Sequence, residues 1–207
     1  MTGNSKKDYK DTIIDFVYSE AIDDATRQKA FNAVKKWMKD SSDNNIARVK
    51  TLLKNHINNI LDGMYNSEID YNKAFYDLAH EICKEINNSV SNPKEREFQF
   101  GNAQKLINIT VKYFYIICYS DDKRDCFRYC HCPVDYKMLQ RVWREKGEDL
   151  KQNKNGKFKR KYNKTSFCNS WSKIDNDRYD DFQICVKDLA REESLANSIE
   201  YDYKHWN

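Results

Sequence analysis

Two prolines and five glycines are all that punctuate this 207-residue chain, so few positions force a turn. That excludes a many-stranded sandwich or barrel, which needs turn signals every ~8–12 residues. Long hydrophobic runs are missing too. None approaches the ~20 apolar residues of a membrane-spanning helix, so no membrane partner is expected. The opening residues MTGNSKKDYK are polar and carry no apolar leader core. Seven cysteines make an odd set. With no leader, the expected setting is a reducing cytoplasm in which they stand as buried thiols. There is no P-loop, no G-x-S-x-G, no H-E-x-x-H and no dinucleotide fingerprint. The four histidines, His56, His80, His131 and His205, form no recognisable pairing.

What is present is a core. Hydrophobic residues make up 40% of the chain and aromatic residues 14%, too much for a disordered protein. Apolar residues recur at helical spacing, which predicts an all-α fold. Helices are expected over 10–20, 24–39 (with Asp23 or Asp24 as N-cap), 45–61, 71–90, 133–146, 177–195 and 199–206. The run from Leu106 to Cys118 is apolar on all sides and predicts a central buried helix. One helical domain over 1–207 is expected, divisible into lobes 1–92 and 93–207 with a cleft between them.

The net charge of +4 permits nucleic-acid binding without demanding it. Its distribution says more. Residues 137–164 hold eleven Lys and Arg against Glu145, Glu148 and Asp149, and Lys157, Lys159, Arg160 and Lys161 form the densest part. Such a segment suits a phosphate backbone, or simply a solvated surface loop. Cys126, Cys130, His131 and Cys132 have the ligand types for zinc, yet they lack a paired C-x-x-C and include adjacent positions. That spacing is awkward for one tetrahedral ion, so no metal is expected.

The phrase from Gly101 to Leu139 carries the chemistry: GNAQKLINITVKYFYIICYSDDKRDCFRYCHCPVDYKML. It joins a small-residue turn, a lysine opening an apolar helix, a loop, and Pro-Val-Asp before the next helix. In this it resembles the helix-hairpin-helix DNA glycosylases, most closely their archaeal 8-oxoguanine branch. The resemblance implies a compact multi-helix fold, with Lys105 as nucleophile and Asp135 as its acidic partner, 30 positions on. The familiar Leu-Pro-Gly-x-Gly hairpin is absent, and only Gly101 and Ala103 stand where its small residues would be.

The implied activity is excision of an oxidised purine from damaged duplex DNA, with strand nicking through a lysine Schiff base and no cofactor. Lysine suits this role because desolvation and a helix N-terminus both favour the neutral amine. A flipped base needs aromatic or apolar walls. Trp171, Trp143, Phe114, Tyr179, Pro133 and His131 are the candidates, Trp171 first, because SWSKIDNDRYDDFQ joins an aromatic to several hydrogen-bonding groups. Gly101, Asn102 and Gln104 would meet the strand at the turn. Two other readings stand beside the enzyme. One is a non-catalytic receptor or sponge for a nucleotide ligand on the same fold, and the other is an interaction module whose basic segment docks an acidic partner.

Overall fold

The computed structural model describes residues 9–26, 44–89, 97–117 and 123–205. Among them the chain is all-α: eight helices and three short 3-10 turns, with no strand. The helices are α1 (Tyr9–Ala25), α2 (Asn44–Leu61), α3 (Glu68–Ser89), α4 (Phe100–Ile117), α5 (Tyr136–Gln152), α6 (Lys164–Phe167), α7 (Asn176–Glu192) and α8 (Ser198–Lys204). Each long helix turns one apolar stripe inward. In α1 it is Ile13, Val17, Tyr18, Ala21, Ile22 and Ala25, with Phe16 on the outer side at 59% exposure. In α3 the stripe is Tyr71, Phe75, Leu78, Ala79, Ile82 and Ile86.

Helix α4 is the spine. It is buried without a break from Gly101 to Lys112, and it packs on α1, α2, α3 and the turn Trp171–Lys173. A segment this rich in Ile, Val and Thr holds as a helix because packing on every side outweighs the weak propensity of β-branched residues. Its entry is fixed from α3: the Asn87 side chain accepts from Phe98 N (2.8 Å) and donates to Phe98 O (3.0 Å). Asn102 works in two directions. Its Oδ1 accepts from Gln99 N, and its Nδ2 donates to Ala25 O at 3.2 Å, serving an orphan carbonyl at the end of α1.

Several boundaries differ from expectation. Asp23 and Asp24 lie inside α1, and the rest of the helix expected over 24–39 falls, beyond Thr26, outside the described residues. Helix α5 starts three residues after Pro133 and runs to Gln152, taking up much of the basic segment. Its stripe of Met138, Leu139, Val142 and Leu150 is buried while Lys137, Arg144 and Lys151 are exposed. It stops where Asn153 turns left-handed (φ 48°), a conformation asparagine tolerates well, and the Asn153 side chain clasps Phe158 N and O. One apolar core connects α1 to α8, from Ile13 to Tyr201. No described helix is long and apolar enough to cross a membrane.

Candidate functional site

The loop 131–135 is held from two helices. Gln104, on α4, donates to Val134 O and accepts from Val134 N, both at 3.2 Å. Gln183, on α7, accepts from Cys132 N (3.0 Å) and donates to Cys132 O (2.8 Å). Two amide side chains thus pair with two backbone amides, one from each flanking helix. The loop ends at Asp135, whose carboxylate accepts from Met138 N at 2.9 Å and caps α5. Because Gln104 and Lys105 are neighbours on α4, the clamp that fixes Val134 also sets Asp135 beside Lys105.

Lys105, Pro133 and Asp135 line one cavity of about 70 Å³, with Asp24, Lys112 and Asp202 completing its polar wall. Lys105 is 6% exposed, and its Nζ lies 4.5 Å from the centre of the Trp171 ring. The close approach of α4 to the Trp171 turn explains Gly101. A Cβ there would stand 2.4 Å from Trp171 O and 2.6 Å from Ser172 C and O. Only glycine lets the two backbones meet this way, and their meeting brings the indole over Lys105. Below them Lys112 and Asp202 form a buried ion pair at 2.5 Å. Burial pushes the Asp202 carboxyl above its ordinary range. Lys112 opposes that shift, Asp135 adds to it, and Lys105 pulls against it. The cavity thus gathers two lysines, Lys105 and Lys112, and three carboxylates, Asp24, Asp135 and Asp202, beside Pro133.

Other expected site residues are elsewhere. Phe114 and Tyr179 are core residues at 1% and 0% exposure, and neither lines the cavity. His131 is buried too, with Nδ1 bonded to the Tyr179 hydroxyl and Nε2 to Asn72 Oδ1, both at 2.9 Å. Desolvation holds its pKa well below the ordinary histidine value, so it stands as a neutral strut. Trp143 lines a separate groove on α5. Gly101, Asn102 and Gln104, expected at the strand, are fully buried, with the two amide side chains committed to internal bonds. In this structure the two amide side chains hold helices and loop together. Two of the four basic residues singled out are engaged internally, Lys157 by Asp188 and Arg160 by both oxygens of Asp175 (2.7 and 2.6 Å). Lys159 is tied through its backbone to Asp181, and Lys161 is exposed. Cys130 and Cys132 are buried thiols, and burial pushes Cys130 up to about 12.

Sequence reasoning missed Lys112, Asp202 and Asp24. Lys112 sits seven positions after Lys105, two helical turns along the same face, which is a signal a helical reading contains. Asp202 gave none, because its pairing is purely tertiary. A groove of about 780 Å³ lies away from this cavity, between α3, residues 97–100 and residues 173–176. No family model matches the chain, and no curated protein or solved structure matches it.

Proposed function

We propose that the chain is a DNA glycosylase with AP lyase activity, of the helix-hairpin-helix type, acting on an oxidised or modified purine such as 8-oxoguanine. One observation carries the reading: Lys105, Pro133 and Asp135 line a common cavity and Trp171 lies against the amine. The order of parts agrees with it. Helices α3 and α4 flank residues 90–99, Lys105 follows in the second turn of α4, and Asp135 caps α5.

In this mechanism the Lys105 amine attacks C1′ of the damaged nucleoside, and the base leaves with the electron pair of the glycosidic bond and a proton. The opened sugar becomes the imine of Lys105. Loss of a C2′ proton then expels the 3′-phosphate, and water releases the lysine. Asp135 stabilises the positive charge that develops on the sugar and passes protons. Sites for whole small-molecule ligands hold ~300–1,000 Å³. At about 70 Å³ this cavity takes the reacting end of a sugar and leaves the base outside its mouth. That size disfavours the alternative of a receptor or sponge enclosing an intact nucleotide in the same cavity. It also makes an abasic sugar, which brings no base, the simplest substrate.

The test is borohydride trapping on DNA, duplex and single-stranded, carrying 8-oxoguanine or an abasic site. A covalent adduct is expected from the native chain and none from Lys105→Gln. Asp135→Asn keeps an oxygen for Met138 N, since asparagine caps helices as well as aspartate. It removes only the charge, so adduct formation should slow by about 10²-fold or more while the fold persists. A well-folded native chain that traps neither substrate would sink the proposal.

A further inference from the structure

A second feature lies along α5, outside the Lys105 cavity. Residues at helical spacing form a stripe that starts beside Asp135: Tyr136 (54% exposed), Gln140, Trp143 with Arg144, Gly147, and Lys151. From Gln140 onward this stripe, with Lys164 of α6, lines a groove of about 400 Å³. Glu148 is the one acidic residue lining it, and it is bonded to Lys151. Three cations therefore face one carboxylate. Arg144 and Lys164 make no ion pair among the described residues, whereas Lys146, Lys157 and Arg160 nearby are held by Glu192, Asp188 and Asp175. Positive charge is left unpaired at the groove, while these three neighbours carry acidic partners.

The indole of Trp143 is seated deliberately. Gly147 stands one turn further along, and a Cβ there would lie 3.1–3.4 Å from the Trp143 ring. Glycine inside a helix costs about 1 kcal/mol relative to alanine. Here it lets the ring lie close on the helix backbone, with Phe167 at 5.9 Å on one side and Lys151 Nζ at 5.7 Å from its centre. A half-buried, pre-positioned aromatic flanked by cations is what a single nucleic-acid strand uses: bases stack on the ring while phosphates meet the charges.

We infer that the Tyr136–Lys151 face of α5 is a binding track for a single-stranded DNA segment flanking the nucleotide that enters the Lys105 cavity. This rests on the nucleic-acid reading of that cavity. The spacing is suitable. Trp143 follows Asp135 by eight residues, about 12 Å along the helix at ~1.5 Å each. That span covers roughly three to four nucleotides at ~3.4 Å per step. The stacking platform calls for unpaired bases, so the track selects single-stranded over duplex DNA.

The experiment is fluorescence anisotropy with labelled (dT)12 and with a duplex of equal length, titrated across salt concentrations. The native chain should bind (dT)12 more tightly than the duplex. Arg144→Glu with Lys164→Glu, both at exposed positions, should weaken binding at least tenfold. It should also lower the salt slope by about 1.4, two contacts at ~0.7 each. Trp143→Ala should weaken it about 5- to 150-fold, the range for losing one stacked base. No binding of (dT)12, tighter binding to duplex, or unchanged affinity in the charge-reversed chain would each overturn the track. Borohydride trapping of 2-deoxyribose 5-phosphate, too short to reach α5, reads Lys105 by itself. Failure of the track and failure of the Schiff-base reading therefore register separately.

Discussion

Gly101→Ala sets two physical effects against each other. By helix propensity alone, alanine in α4 should stabilise the protein by up to about 1 kcal/mol. Against that, the new Cβ would stand 2.4 Å from Trp171 O and 2.6 Å from Ser172 C and O, all backbone atoms. A flexible side chain could swing away, but here the turn Trp171–Lys173 must recede from α4 as a body. Forcing extra volume into a packed contact costs typically about 1–3 kcal/mol. Retreat of the indole from Lys105, now 4.5 Å away, forfeits up to about 2 kcal/mol of a largely desolvated cation–π contact. Taken at their midpoints these give a net loss of about 2 kcal/mol, or roughly 4–8 °C in Tm at 2–4 °C per kcal/mol for a chain of this size. Gly147→Ala is the control, because its Cβ meets only the Trp143 side chain, at 3.1–3.4 Å. Thermal melts by circular dichroism decide the matter, and Gly147→Ala should shift Tm far less. If Gly101→Ala raises Tm by the few degrees that propensity predicts, the backbone approach is wrong, and with it the seating of Trp171 over Lys105.

Three further outcomes follow from buried polar groups. Burial lowers the His56 pKa to about 4. Between pH 6.5 and 4 the unfolded chain therefore holds a proton there that the folded chain does not, and stability falls as pH falls, by about 1.4 kcal/mol per unit and about 3 kcal/mol in all. Melts between pH 7 and 4.5 should show it, with a shallower slope in His56→Gln; a flat native profile refutes it. Gln104→Leu strands Val134 N and O in the interior and should cost about 2–4 kcal/mol in denaturant unfolding, unless the loop is held without the clamp. Lys112→Met leaves the Asp202 carboxyl buried without its cation and should cost about 3–5 kcal/mol. Adding Asp202→Leu should recover most of that loss, and a double variant no more stable than Lys112→Met argues against the pair.

The helices were legible because their signal is local. A stripe such as Tyr71, Phe75, Leu78, Ile82 and Ile86 repeats within one element and needs no partner to be seen. The run from Leu106 onward was legible for the opposite reason: with no polar face, it had to be enclosed. Boundaries were harder, since they depend on competition. Pro133 looks like a first helical residue. Yet Gln104 and Gln183 hold Cys132 and Val134 in loop conformation, and the helix waits for the Asp135 cap. The helix expected over 133–146 runs on to Gln152, because Leu150 carries its buried stripe of Met138, Leu139 and Val142 further into the basic segment.

For the site, the legible part was the order of Lys105 and Asp135 along the chain, and what was hidden was how their neighbours are used. Asn102 and Gln104 look like ligand-facing groups because they are polar residues at the head of an apolar helix. Inside a core, an amide side chain has another use: it matches a backbone amide donor for acceptor, and no charged or hydroxyl group does that as well. Gln104 does this at Val134, Asn102 bridges Gln99 N and Ala25 O, and Asn108 Nδ2 donates to Gln104 Oε1 and the Tyr179 hydroxyl. Likewise Lys157 and Arg160 are cancelled by Asp188 and Asp175, acids that lie beyond the window in which the cations were counted. A charge run therefore identifies a binding face only after its tertiary partners are subtracted. On this chain the subtraction removes Lys157 and Arg160 from the loop and leaves Arg144 and Lys164 standing at the groove that Trp143 lines.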